Sequence, residues 1–253
     1  MGAGLSSGLW RAVSLVALLG LWQLSVTLIA PRNLPAPAAV FGFMLAEAAS
    51  GDLGRHLAIT LARVLAAFAL AMAVGTAVGI AMGRRRMINR LADTWLILLL
   101  NTPALVIAVL CYVWIGLTET AVVVAVALNK IPNVAVTLRE GARALDPRLD
   151  EIGLVYRFSW AKRLRHIVLP QLAPYTAAAA RSGIALIWKV VLLVELLGRS
   201  NGVGFAIHLA FQTFDVTAIL GYTLAFAAVM LAIEYGLMQP AERRASRWRP
   251  AAA

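Results

Sequence analysis

Charged residues are scarce in this sequence: Asp, Glu, Lys and Arg make up 14% of its 253 residues, whereas 61% are hydrophobic. A soluble domain has about 25% charged residues and could not cover so much apolar surface with so few. Cysteine is scarcer still, because Cys111 stands alone and cannot form an internal disulfide. These shortages exclude a disulfide scaffold, a disordered chain and a water-soluble enzyme, and they place long stretches of the chain in lipid.

The sequence also lacks several motifs of catalysis. It contains no HExxH and no CxxC pattern, its three histidines are scattered, and it has no GxxxxGK[ST] loop to bind the phosphates of ATP. We therefore expect no catalytic residue, no metal site and no cofactor on this chain. A net charge of +11 suggests a nucleic-acid partner. The basic residues, however, lie between hydrophobic runs and do not gather on one face, so we expect no such partner.

Six segments are long and apolar enough to span a membrane. A helix rises about 1.5 Å per residue, so about 20 residues cross a hydrocarbon core of about 30 Å. The predicted spans cover residues 12–30, 57–82, 95–115, 116–137, 176–197 and 213–238. The first could instead be a cleaved signal peptide, but its apolar stretch is longer than such a peptide needs. The sequence thus predicts an all-α fold, a polytopic membrane helix bundle that forms one domain over residues 1–253.

Most of the 23 lysine and arginine residues follow the second, fourth and sixth predicted spans. Because basic residues are enriched in cytoplasmic segments, this distribution predicts that both termini are cytoplasmic. The longest polar stretch, residues 139–175, is then cytoplasmic too. Its apolar and aromatic side chains, among them Tyr156, Phe158 and Trp160, need a surface to bury against. That surface is either a lipid interface or the groove of a partner protein.

The second predicted span carries Gly75, Gly79 and Gly83, one glycine every four residues. Such a stripe leaves one helix face bare, so that another backbone can approach it closely. The approaching helix belongs either to this chain or to a second copy of it. Pro103 and Pro132 lie inside the third and fourth predicted spans, where each frees a carbonyl group and should kink its helix.

Residues 151–170 are similar to the EAA loop of permease subunits in type I ATP-binding-cassette (ABC) importers. The matching residues are Glu151, Ser159, Ile167, Leu169 and Pro170. The chain departs from the family pattern where alanines become Ile152 and Gly153, where Leu164 replaces an aromatic residue, and where Arg157 replaces the usual turn glycine. A residue other than glycine in that turn needs negative φ or tolerates the left-handed conformation at some cost.

Other runs resemble the branch of this family that imports nitrate, sulfonates, taurine and related small compounds. They include LPAPAAVF (34–41), GDLGRHLAITLARVLAAF (51–68) and VELLGRSNGVGF (194–205). The resemblance implies a MetI-like permease fold in a bacterial inner membrane. It also implies an assembly of two permease copies, expected to form a homodimer, with two cytoplasmic ATPase subunits that bind ATP and Mg²⁺. An extracytoplasmic binding protein would deliver the solute.

In such importers the loop of each permease docks as a coupling helix in a cleft of the ATPase. The resemblance therefore implies that this chain is not itself an enzyme and forms the path for a small, polar or anionic solute. The residues it assigns to coupling are Glu151, Arg157, Phe158, Ser159, Trp160, Leu169 and Pro170. An ATP-independent secondary carrier or channel is the alternative, but such folds often contain inverted repeats, and the sequence shows no paired halves.

A charged side chain at the centre of a membrane helix costs about 2.5–3.5 kcal/mol, so such a residue is a functional candidate. Our candidates for the translocation path are Asn101, Asn129, Lys130, Trp188, Lys189 and Glu195. Lys189 and Glu195, six residues apart, do not share a helix face. For Lys130 and Lys189 the alternative is a structural role, in packing or by snorkelling. Arg63 and Glu234 lie nearer the membrane surfaces, and we expect both to snorkel.

Overall fold

The computed structural model describes residues 3–29 and 34–240, and these form a bundle of helices without strands. In the first half of the chain the helices are α1 (Ala3–Ile29), α2 (Pro37–Ser50), α3 (Asp52–Arg84), α4 (Arg86–Asn101), α5 (Ala104–Ile115) and α6 (Glu119–Arg143). The second half contains α7 (Pro147–Val155), α8 (Trp160–Arg163), α9 (Leu169–Gly198), α10 (Val203–Gln212) and α11 (Val216–Ile233). π-Helical turns follow α8 at Leu164–Val168 and α11 at Glu234–Met238. The predicted all-α fold is confirmed.

Four helical stretches of the described residues are long and apolar enough to cross a membrane: Asp52–Arg84, Glu119–Arg143, Trp160–Gly198 and Val216–Gly236. They correspond to the second, fourth, fifth and sixth predicted spans. Helices α4 and α5 could together form a fifth span, although they are bent by 102°. The apolar part of α1 is the shorter stretch Val13–Ile29, and residue 30 of the first predicted span lies outside the described residues.

The third predicted span is broken where the sequence suggested only a kink. Thr102 has extended backbone angles, with φ −79° and ψ 124°, and ends α4. The ring of Pro103 disfavours a helical conformation for the residue before it and supplies no N–H donor. Helix α5 therefore starts afresh at Ala104 in a new direction. By contrast, α6 continues through Pro132 to Arg143.

The glycine stripe of α3 faces α6 of the same chain. A Cβ added to Gly75 would lie 2.6 Å from the Cβ of Val134, and one added to Gly79 would lie 2.5 Å from the carbonyl oxygen of Ala135. Gly83 is equally tight against α6. No side chain fits between the two backbones, so the stripe sets the distance between the two central helices of the bundle.

The helices α3, α6 and α9 bring two sets of residues to opposite ends of the bundle. We call the end formed by Arg143 and α7–α8 the hairpin end, and the end formed by Glu119 and Gly198 the opposite end. The short helix α2 precedes the first of these long helices. It stops at Gly51, whose φ of 87° is the left-handed conformation that glycine adopts most readily.

Candidate functional site

Residues 147–163 form a helical hairpin of α7, a tight turn and α8. Helix α7 ends in a Schellman motif, in which the N–H of Phe158 donates to the carbonyl of Gly153 at 2.8 Å. Arg157 occupies the left-handed position of this motif with φ 49°. Glycine is common there because a side chain in that conformation costs about 1–2 kcal/mol. Of the two conformations expected for Arg157, the chain thus adopts the strained one.

The second limb of the hairpin starts at Ser159. Its hydroxyl accepts a hydrogen bond from the backbone N–H of Lys162 at 3.4 Å, which caps α8. Gly153 lets the two limbs approach, since a Cβ there would lie 2.8 Å from Cδ1 of Ile167. The second limb runs through the π-helical turn into α9. The hairpin is therefore a direct extension of a spanning helix.

The π-helical turn that follows the hairpin fixes it to the bundle. Ile167 and Val168 are buried, and Val168 packs in a cluster with Leu138 of α6 and Leu172 of α9. The turn, in contrast, exposes large apolar side chains: Val155 is 78%, Tyr156 71% and Trp160 78% exposed. An apolar surface of this kind at a bundle end is suited to contact with another protein or with lipid.

The residues predicted to couple to an ATPase all lie on this hairpin or at its junction with α9. Phe158 is half-buried, with the ammonium of Lys162 lying 4.2 Å from its ring centroid. The others are exposed: Glu151, Arg157, Ser159, Trp160, Leu169 and Pro170. Their role in docking stays a prediction.

Near the opposite end, Arg63 of α3 forms the centre of a buried ionic cluster, although it was expected to snorkel. Its side chain is 3% exposed. The guanidinium donates to Glu195 at 2.7 Å, to both carboxylate oxygens of Glu119 at 2.6 and 2.7 Å, and to the backbone carbonyl of Asn201 at 2.9 Å. It also donates to the side-chain carbonyl of Asn201. The snorkelling prediction is wrong because the guanidinium itself is buried and acceptors of the same chain, including the exposed Glu119, satisfy every one of its N–H groups.

Glu195, a candidate for the path, is the other buried charge of this cluster and is 0% exposed. Besides Arg63, it accepts hydrogen bonds from the hydroxyl of Thr60 at 2.9 Å and from the N–H of Gly204 at 2.8 Å. A Cβ on Gly202 would lie 2.5 Å from this carboxylate, and one on Gly204 would lie 2.7 Å from the Cβ of Glu195. Glu195 thus ties α3, α9 and α10 together, and none of it is open to a solute in this structure.

The loop that completes the cluster, residues 198–202, has the Gly-x-Ser-x-Gly spacing of a hydrolase nucleophile elbow. That motif joins a strand to a helix, whereas this loop joins α9 to α10. Its backbone instead supplies an N–H to the ring of His56 at 3.0 Å and a carbonyl to Arg63. Spacing within one run could not reveal this cluster, because Arg63 and Glu195 are 132 positions apart.

Lys130 is a buried charge of a different kind. It is 3% exposed, and no hydrogen bond or ion pair joins its ammonium to any other described residue. Its Cε lies 3.2 Å from the position of an added Cβ at Gly183 of α9, and Phe68 of α3 lies 3.5 Å from that same position. Glu119, at the start of α6, is about 16 Å away along the helix axis. Lys130 therefore cannot snorkel to either end of its helix.

The other path candidates do not gather around Lys130 as one site. Lys189 is exposed on α9, with its ammonium 5.6 Å from the ring centroid of Trp188. Asn101 is exposed and donates to its own helix, and Asn129 is half-buried. Within residues 3–29 and 34–240, no three His, Cys, Asp or Glu side chains cluster as they would around a metal ion.

Comparisons with known proteins agree with this architecture. The family model "Binding-protein-dependent transport system inner membrane component" matches residues 72–235. The putative aliphatic sulfonates transport permease protein SsuC of Escherichia coli (strain K12) is 32% identical over 93% of this chain and 90% of its own length. The riboflavin transport system permease protein RibX of Chloroflexus aurantiacus is 31% identical over 93% of this chain and 88% of its own. The crystal structure of an amino acid ABC transporter with histidines shares the fold, with a TM-score of 0.60 and 21% identity over 75% of this chain and 92% of that chain.

The region matched by the family model contains the whole hairpin together with Lys130 and Glu195. Proteins of this family are membrane-embedded subunits, and the ATPase of their transporters is a separate subunit. This chain belongs to the family of binding-protein-dependent transport system inner membrane components and is an ABC importer permease subunit of the inner membrane.

Proposed function

We propose that two copies of this chain form the translocation path of an importer for small organic anions of the sulfonate type. The hairpin of each copy docks in a cleft of a cytoplasmic ATPase subunit, which binds ATP and Mg²⁺. The observation that carries the coupling role is the exposed apolar turn of the hairpin, with Tyr156 and Trp160 at the end of a stretch that continues into α9. A movement imposed on the turn would reach the core of the bundle directly.

The orientation follows from charge. The hairpin end carries Lys162, Arg163 and Arg165, and the arginine run 84–86 lies beside it. Because basic residues are enriched on the cytoplasmic side, this end faces the cytoplasm, as do both termini. The binding protein then docks at the opposite end, near α2 and α10.

A sulfonate is the first choice of solute and a vitamin such as riboflavin the second. One relative at 32% identity is named for aliphatic sulfonates and another at 31% for riboflavin, so relatedness alone decides little. The buried cation Lys130 favours an anion over an uncharged molecule. In such systems the binding protein supplies most of the selectivity, so the path needs only a suitable charge and size.

Docking of the hairpin is tested by co-purification of the ATPase subunit with the permease. We expect Tyr156→Asp and Trp160→Asp to abolish it, because a carboxylate in an apolar interface loses its hydration. Phe211→Asp is the matched control, since Phe211 is an exposed aromatic residue at the opposite end of the bundle. Undiminished co-purification with both hairpin variants would contradict the proposed docking surface.

Transport is tested with the complete transporter in proteoliposomes, using labelled ethanesulfonate and labelled riboflavin as separate probes. We expect ethanesulfonate uptake that requires ATP, the ATPase and the binding protein. Uptake by the permease alone would support the secondary-carrier alternative, and uptake of riboflavin alone would support the second choice of solute. Co-purification of two differently tagged copies tests the homodimer.

A further inference from the structure

We propose that Lys130 binds the anionic group of the solute at the middle of the translocation path. This inference rests on the proposed function and names the side chain that recognises charge. It starts from a single observation: α6 carries an ammonium group at its midpoint that the described chain encloses without offering it a partner.

The enclosure is produced by the chain itself. Helices α3, α6 and α9 surround the side chain, and the 3% exposure is that of one copy alone. A carboxylate from a second copy therefore has almost no surface through which to reach Lys130. The missing counter-charge must then come from something that enters when α9 moves relative to the close pair α3 and α6.

The surroundings show that the position is built for a long side chain. Gly183 on α9 leaves the space that the end of the lysine occupies, because a Cβ there would lie only 3.2 Å from Cε. Phe68 lies 3.5 Å from that same Cβ position, and Phe68 and Trp188 both pack against the adjoining apolar clusters. An ammonium in such a setting has lost its hydration and has gained neither a hydrogen bond nor a counter-charge in return. An incoming anion would supply both.

Comparison with the other charges of the membrane region narrows the choice. Arg63 and Glu195 are bonded to each other and to further groups of the chain, and both are buried. Lys189 lies on the surface of the single chain and is exposed. Among these four charges, Lys130 alone is both enclosed near the middle of its helix and without a partner in the part of the chain that the structure describes. This is the condition expected of a binding residue.

The binding site is tested by equilibrium binding of labelled ethanesulfonate to the permease–ATPase complex in nanodiscs, followed by uptake with the binding protein. We expect Lys130→Met to lower the affinity at least tenfold and to raise the KM of uptake more than it lowers kcat. Lys130→Arg, which keeps the charge, should recover part of the affinity. Arg90→Met removes an exposed charge from α4 and serves as the control with wild-type binding.

Inorganic sulfate and chloride serve as competitors in the binding assay. Competition by ethanesulfonate but not by these ions assigns the site to the organic solute, whereas equal competition shows an adventitious anion site and overturns the proposal. Binding and uptake by Lys130→Met within twofold of wild type also overturn it, and would mean that the enclosed amine needs no counter-charge. A wild-type transporter that imports no sulfonate would refute the proposed solute instead.

Gly183→Ala provides a second variant in case Lys130→Met does not assemble. The added methyl group displaces the end of Lys130 without removing its charge. We expect a severalfold rise in KM with binding-protein-stimulated ATPase activity retained. An unchanged KM for this variant would argue against contact between the ammonium and the solute.

Discussion

Two cations of this permease are buried to the same extent but differ in whether they have hydrogen-bond partners. Arg63 and Lys130 are each 3% exposed, and each lies within a predicted span. Arg63 has every N–H group bonded to a carboxylate or carbonyl, whereas Lys130 has no partner among the described residues. Burial alone therefore does not tell whether a charge in a membrane bundle is structural.

The two charges differ in whether the chain itself supplies their hydrogen-bond and ion-pair partners. Arg63 and Glu195 find their partners within one chain, so their contribution is to tie α3, α6, α9 and α10 together near the opposite end of the bundle. The site around Lys130 is incomplete, so its charge remains available for something that arrives from outside. We therefore interpret the fully hydrogen-bonded Arg63 as structural and propose that Lys130 is functional, and the following variants test this distinction.

The largest effect on stability is expected from breaking the buried ion pair of Arg63 and Glu195. Arg63→Met leaves Glu195 as a buried carboxylate without its cation, and we expect a loss of about 3–5 kcal/mol in the free energy of unfolding. The double variant Arg63→Met with Glu195→Met should recover part of it, because it removes both buried charges, although the N–H of Gly204 then loses its acceptor. Unfolding in a denaturing detergent titration measures both.

The exposed ion pair of Arg55 and Asp52, 3.4 Å apart, is the matched control for this experiment. Arg55→Met should cost less than about 1 kcal/mol, since solvent screens exposed pairs. A cost for Arg63→Met no greater than that of Arg55→Met would show that the buried cluster is not a structural tie.

Removing the charge of Lys130 should have the opposite sign. Lys130→Met eliminates a buried group for which the described residues supply no partner, and we expect the free energy of unfolding to rise by about 1–3 kcal/mol. The same detergent titration applies, with Arg90→Met as the exposed comparison. A loss of stability as large as that of Arg63→Met would mean that Lys130 has a structural partner after all.

The glycines beside the two buried sites, Gly204 next to Glu195 and Gly183 next to Lys130, are expected to differ in how well they tolerate alanine. A Cβ at Gly204 would lie 2.3 Å from the carbonyl oxygen of Leu192, so Gly204→Ala must shift backbone and should cost about 1–3 kcal/mol. Gly183→Ala meets only the flexible end of Lys130 at 3.2 Å and should cost less. Thermal unfolding of the two purified variants compares them directly. Equal losses of stability would contradict the view that Gly204 meets rigid backbone whereas Gly183 meets a flexible side chain.

Sequence predicted the parts of this molecule that depend on local pattern. The spanning segments over 57–82, 116–137, 176–197 and 213–238 follow from apolar runs. The break between α4 and α5 was underestimated, because a kink and a break share the same proline signal and differ in how the flanking helices pack.

The candidate site was predictable in part for the same reason. Lys130 and Glu195 stood out as charges within apolar runs, but their different fates depend on partners from distant helices. Arg63 was misjudged because its depth suggested snorkelling, while the acceptors that hold it belong to α6, α9 and the loop after α9. The periodicity of a sequence indicates which helix face a residue lies on, but it does not show which residues of another helix contact that face.

The smallest expected effect concerns a third cation, which is exposed and not buried. Arg157 has φ 49° in the Schellman turn of the hairpin, where glycine avoids the steric cost of a Cβ. Arg157→Gly should therefore stabilise the hairpin by about 1 kcal/mol or less, partly offset by the greater freedom of glycine in the unfolded chain. Hydrogen exchange of the amide of Phe158, which closes this turn, measures the change.

Arg157→Ala separates backbone strain from charge, because it removes the guanidinium and keeps the Cβ. If strain governs this position, only the glycine variant slows exchange, and both variants leave the unfolding of the bundle core unchanged. Equal slowing by alanine would show instead that repulsion among the basic residues of the hairpin, including Lys162, limits the stability of the turn. The exposed cation would then differ from Arg63 and Lys130 in being neither a tie nor a binding group, since its effect would come from neighbouring charges of the same sign.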